Sequence, residues 1–313
     1  MTLGLSTDTF FSTFSLNQEI KMMKKMTKFF LLLVLQLASL GLSAAEVIGT
    51  VPLSRNENIF VLPKEEKNTF VPEADSEIII SREQYVLSYN KKHRLLNWAE
   101  WKIEASDLGQ IPRTNKFAVD QELEDHLEKS NQHAVKLQDY KGSCFDRGHQ
   151  VASADRSSSV ENNEMTFVLS NMVPQTHYLN RVIWRNFENY ARSLVTKLNK
   201  TVYVIAGPIY DEDYGRIGVN HDIPVPSKNF KVLVVMDKNQ NINDASSKVQ
   251  IIAVVMPNKL KSGKKPFEDL NELCNDEIQD GSTLPVSNDW RQYQTSVAEV
   301  ERLSGLSIFH RRN

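Results

Sequence analysis

Asp146-Arg147-Gly148-His149, then Leu169-Ser170-Asn171-Met172-Val173-Pro174-Gln175, then Asn180, Trp184, Glu188 and Arg192, is the stretch on which the fold and chemistry of this chain turn. One glycine separates Arg147 from His149. In an extended segment both side chains leave on the same side. A permanent cation then stands beside a group that takes a proton near neutral pH. Phosphodiester hydrolysis needs that combination: a base to activate water and positive charge on the phosphate oxygens. A buried histidine beside a structural arginine is the plainer reading of the same residues.

The periodicity after this stretch predicts an amphipathic helix over residues 180–199. At about 100° per residue, with Asn180 at zero, Ile183, Phe187 and Leu194 fall at roughly 300–340° and Ala191 at about 20°, a buried stripe. Glu188, Arg181, Arg192 and Arg185 fall at roughly 80–140°. An amide oxygen at the helix start and a carboxylate on its flank are hard ligands suited to Mg²⁺. Read without a metal, that flank is a solvated face with the pairs Trp184/Glu188 and Glu188/Arg192.

Farther out, strands and helices mix without regular alternation. That argues for one α+β domain over residues 76–313, not a doubly wound sheet. Residues 78–80 and 85–89 are β-rich, with a turn at Asn90-Lys91-Lys92-His93. Residues 97–105 alternate as a half-buried strand does. Residues 120–139 fit a short helix or a loop. Residues 201–205 predict a buried strand ending at Gly207-Pro208, and residues 230–236 and 249–256 two more. A last helix over 297–303 stops at Gly305. Residues 258–289 form a polar excursion. Asp237-Lys238-Asn239-Gln240-Asn241 opens like a calcium loop, but its sixth and twelfth positions are Ile242 and Lys248, so a hairpin connection is expected.

Toward the N-terminus, residues 46–75 read as an extended arm carrying Pro52, Pro63 and Pro72. Before it, Lys21, Lys24, Lys25 and Lys28 precede an apolar run over 29–42 that Ser43-Ala44-Ala45 closes. That is the pattern of a secretory signal peptide spanning residues 1–45, with cleavage expected after Ala44 or Ala45. The basic region lies far in, so Met22, Met23 or Met26 is an alternative start. The run is short for a bilayer span, so no stable membrane association is expected after cleavage, and the protein is expected to be secreted or periplasmic. A true membrane anchor is the competing reading.

Hydrophobic residues at 41% and charged residues at 24% exclude a disordered, collagenous or polytopic membrane chain. With 37 Lys+Arg against 39 Asp+Glu, any polyanion must meet a local cationic site. Two cysteines are too few for a disulfide scaffold or a four-cysteine zinc site. Cys144 and Cys274 either pair in an oxidising compartment or stay free, and sequence does not decide.

In this order and spacing the central stretch resembles the DNA/RNA non-specific endonuclease family. Trp98-Ala99-Glu100-Trp101-Lys102-Ile103, Pro112-Arg113-Thr114-Asn115, Tyr203-Val204-Ile205-Ala206-Gly207-Pro208-Ile209-Tyr210, residues 223–232 and Val300-Glu301-Arg302-Leu303-Ser304-Gly305-Leu306 extend the resemblance over about residues 78–309. The implied fold is the ββα-metal, or His-metal finger, type: a central antiparallel sheet flanked by helices.

The resemblance implies His149 as general base and Asn180 as the direct Mg²⁺ ligand, with Mn²⁺ also admissible. Glu188 would hold the metal through water. Arg113, Arg147 and Arg192 would bind phosphate and stabilise its developing charge. Asn171 would support the catalytic set. The metal would stabilise the leaving 3′ oxygen, giving 5′-phosphate ends. DNA and RNA are the implied substrates. An inhibitor protein or a homodimer is left open. Alternatives are a nuclease-like module that binds without cutting, a toxin-type nuclease, and a phosphodiesterase of small substrates. The 258–289 excursion and the cysteine pair match nothing in the family pattern. Arg147 and a bound metal would lower the His149 pKa; Asp146 would raise it if its carboxylate reached the ring.

Overall fold

Apolar runs in the second half of the chain pair into the centre of an eight-stranded sheet. Its order is Glu46–Gly49, Glu77–Ser81, Val86–Asn90, Leu95–Ile103, Lys200–Ile209, Lys228–Asp237, Gln250–Pro257 and Gln294–Thr295. The computed structural model describes residues 46–49, 61–63, 77–238, 240, 249–275 and 289–309. The expected signal peptide, most of the arm and most of the 237–249 connection lie outside the described residues.

The sheet is antiparallel except at one edge, where Glu46–Gly49 runs parallel to Glu77–Ser81. A parallel pair needs a long connection, and residues 50–76 provide it. Within that connection Val61–Pro63 pairs with Leu306–Ile308.

Two strand expectations change. Leu95–Ile103 is buried along nearly its whole length, not on one face. Ala99, Trp101 and Ile103 pack in one core with Phe187, Ala191 and Leu194 of the helix Arg185–Leu198. Trp98 packs in another with Val300, Leu306 and Ile308 near the C-terminus. A strand covered on both faces loses its alternation. The strand expected to end at Gly207-Pro208 runs through both to Ile209. Pairing with Leu95–Ile103 stops at Ala206, so Pro208 has no ladder bond to donate on that side.

Residues 120–139 contain two helices, Gln121–Glu128 and Leu137–Tyr140. Asp120 caps the first by accepting from the Leu123 N–H. Cys144 and Cys274 are bonded, with Cα atoms 4.9 Å apart. The bond ties the excursion to the chain just before Asp146. Beneath that excursion Tyr140, Phe145, Tyr214, Leu260 and Leu273 make a separate apolar cluster. Among the described residues no helix is long and apolar enough to cross a membrane.

Candidate active site

Asp146–His149 pairs antiparallel with Met172–Gln175, with Gly148 opposite Val173 and His149 opposite Met172. A Cβ on Gly148 would lie 2.2 Å from Gln175 Oε1, so only glycine lets Gln175 fold over this strand. From the second strand the chain enters a π-helical turn, Leu179–Trp184, and then the α-helix Arg185–Leu198. Asn199 ends that helix in the left-handed region at φ 53°.

The π turn corrects the uniform wheel. Its hydrogen bonds close on residue i+5, adding one residue and setting the helix back by roughly 100°. Glu188, expected about 80° from Asn180, therefore comes to within roughly 20° of the same line. Leu179, Ile183 and Trp184 are all buried by this turn.

His149 is buried. Its ring meets Phe167 and Phe117 edge-on, at centroid distances of 4.7 and 5.7 Å. Trp184 Nε1 donates to the His149 carbonyl oxygen at 3.0 Å. The Nε2 atom has no hydrogen-bond partner. Burial, reinforced by the Arg113 and Arg147 guanidiniums, holds the imidazole pKa well below 6.5 against an opposing hydrogen bond to the Arg147 backbone. At neutral pH the ring is therefore the free base.

The two arginines lie against the same aromatic pair. Arg147 stands 3.9 Å over Phe117. Arg113 stands 4.9 Å over Phe167, with its Nε donating to Asn115 Oδ1 at 2.7 Å and its Nη1 to Ser153 Oγ at 3.3 Å. Phe117 and Phe167 were not singled out in the sequence, where a lone phenylalanine reads as core.

Asp146 turns the other way. Its carboxylate accepts from Asn180 Nδ2 at 2.8 Å and from Arg181 Nε and Nη2 at 2.8 and 2.7 Å. His177 Nδ1 lies 3.0 Å from the same carboxylate. Burial alone would raise the Asp146 pKa, but contacts from His177 and Arg181 outweigh it and hold the carboxyl well below its ordinary value. The Asp146 carboxylate therefore does not reach the His149 ring: strand alternation sends residues 146 and 149 to opposite faces. Because Asp146 holds the Asn180 nitrogen, the amide oxygen is presented on the other side as a hard ligand.

Glu188 Oε1 accepts from Lys231 Nζ at 3.2 Å. Arg192 is not an open cation: its Nη1 donates to buried Asp155 Oδ1 and its Nη2 to Asn189 Oδ1, both at 2.6 Å. Its expected phosphate role is reduced accordingly. Asn171 is fully buried, taking the Val151 N–H on Oδ1 and donating from Nδ2 to the Val151 and Thr166 carbonyls. It holds the chain after His149 from within the core.

The residues fit a hydrated divalent cation. His149 Nε2 is buried without a partner, and such an orphan costs about 1–3 kcal/mol unless something satisfies it. A site with one amide oxygen and one nearby carboxylate suits Mg²⁺, which keeps most of its waters. Glu124, Glu128 and His133 also converge, but Lys136 Nζ already lies 2.7 Å from Glu124 Oε1 and supplies the cation there. A neutral base, two arginines and an oriented amide oxygen can together activate water, bind a phosphate and hold a metal.

The family model for DNA/RNA non-specific endonucleases matches residues 65–313. A nuclease of Nostoc sp. is 34% identical over 230 residues, 72% of this chain and 71% of that protein. Mitochondrial endonuclease G of Bos taurus is 34% identical over 198 residues, 60% of this chain and 62% of that one. The crystal structure of the EndoG/EndoGI complex aligns with a TM-score of 0.54 at 26% identity, over 75% of this chain and 86% of its own.

Proposed function

The chain belongs to the DNA/RNA non-specific endonuclease family, and from that premise we propose an exported, Mg²⁺-dependent enzyme that cuts DNA and RNA with little sequence preference and leaves 5′-phosphate ends. The observation that carries this reading is the unpartnered Nε2 of a neutral His149, flanked by Arg113 and Arg147.

His149 Nε2 takes the proton from the attacking water. Arg113 and Arg147 bind non-bridging phosphate oxygens and oppose the charge that builds there. Phe117 and Phe167 keep both guanidiniums and the imidazole in register. Trp184 anchors the His149 backbone, and Asp146 holds the Asn180 amide nitrogen, so that the amide oxygen would be the group to ligate a cation. When bound, the cation supplies Lewis-acid stabilisation of the leaving 3′ oxygen. Sequence tolerance follows from contacts to phosphate, which carries no base identity. The signal-like N-terminus and the Cys144–Cys274 bond both support an oxidising destination. The solved EndoG/EndoGI complex supports adding a protein inhibitor as a partner class.

Circular plasmid and a folded RNA, each incubated with Mg²⁺ and with EDTA, test the reading. Cleavage of both with Mg²⁺ alone is expected. Retention of nucleic acid without cutting would favour a binding module, and cleavage in EDTA would exclude the metal.

A further inference from the structure

We propose that Lys231 is a positioning residue of this site: it clamps one oxygen of Glu188 from the sheet, leaving the other oxygen to face the water shell of the cation. The inference rests on the metal-dependent reading above. Lys231 lies on the central strand Lys228–Asp237, paired with Ala206 on one side and Val254 on the other. Its side chain shares a sheet face with Leu233 and Val235, which belong to the main apolar core. It is 1% exposed. An ammonium is rarely taken out of water unless something pairs with it, and an apolar pair would fill the places of Lys231 and Glu188 at lower cost.

The surroundings say what the charge is for. Lys231 Nζ stands 4.1 Å over the Trp184 ring and 5.4 Å from the Trp101 ring. Those rings leave it one close anionic partner among the described residues, Glu188 Oε1 at 3.2 Å. The other buried acid nearby, Asp155, is taken by Arg192 and by Trp101 Nε1. Trp184, which carries Lys231 on its face, also donates to the His149 carbonyl. The sheet thus fixes the outer carboxylate and the base strand through one indole. Buried under that indole, Lys231 does not reach substrate and acts only through Glu188.

Lys231→Met keeps the length and removes the charge. Mg²⁺ binding is measured by calorimetry on the full chain without nucleic acid, alongside the Mg²⁺ dependence of cleavage. We expect Mg²⁺ affinity to fall about 10- to 100-fold, as for lost outer-shell partners of a metal site, with the chain still folded although its thermal midpoint falls, because Glu188 loses its buried partner. At saturating Mg²⁺ most of kcat should return. Lys231→Arg should recover part of the affinity. Glu188→Gln with Lys231→Met should bind no more weakly than Glu188→Gln alone. Lys231→Gln is read by the same measures if Lys231→Met does not fold. A folded variant that binds Mg²⁺ like the natural chain, or losses that add in the double variant, overturns the proposal. Natural protein that neither binds Mg²⁺ nor cuts overturns the metal-dependent reading itself, and this inference with it.

Discussion

His149 is placed where solvent exclusion and two guanidiniums act together against its charged form. The sign of the pH effect follows. A general base must be neutral, and a lowered pKa keeps it neutral to more acidic conditions. The acid limb of kcat/KM should therefore lie below about 6.5, the value of a free imidazole. A pH profile at saturating Mg²⁺ measures it, and a limb above neutrality would remove His149 from the role. His149→Ala should cost about 100- to 10,000-fold in rate with the fold intact. Asp146→Asn should leave the acid limb where it is and raise the Mg²⁺ required, because that carboxylate holds the Asn180 amide and not the ring. A limb that shifts with Asp146→Asn would put the carboxylate back on His149.

The finger is a hairpin and a helix joined by a π turn, and its outer brace is the Cys144–Cys274 bond two residues before the first strand. Opening that bond, by reduction or by Cys144→Ser with Cys274→Ser, should lower stability by about 2–5 kcal/mol. Urea unfolding with and without reductant measures the change; an unmoved midpoint would mean that the Leu260 and Leu273 packing suffices alone. The helix was legible because its apolar residues recur with helical period, and the candidate site residues because D-R-G-H, Asn180 and Glu188 carry their chemistry in residue type and spacing; the pairing of Asp146–His149 with Met172–Gln175 was implied only by the family resemblance. The π turn was not, because no residue type encodes it: it arises when Leu179, Ile183 and Trp184 must all be buried at once. Phe117, Phe167 and Lys231 were hidden for a related reason. Each looks like ordinary strand or core material until the fold brings it under an arginine, a histidine or a glutamate. The cysteine pair was undecided because sequence separation says nothing of distance.

At the scale of the whole molecule, charge decides how nucleic acid is held. With 37 basic against 39 acidic residues, the field beyond the site does not attract a polyanion. Within the site Arg192 is already bound to Asp155 and Lys231 to Glu188, so neither is open to phosphate. Arg113 and Arg147, held against their aromatic faces, are the phosphate contacts on which the reading relies. Each phosphate neutralised contributes a slope of about −0.9 in log K against log salt on duplex DNA. The slope should correspond to about three contacts, with the bound cation counted among them. Fluorescence anisotropy of the His149→Ala variant with a labelled duplex, over a KCl series at fixed Mg²⁺, provides the number without cleavage. Arg147→Ala should remove about one contact from that slope, and Arg192→Ala much less, since its charge is neutralised from within. A slope near ten contacts would reveal a basic groove that neither the composition nor the site accounts for.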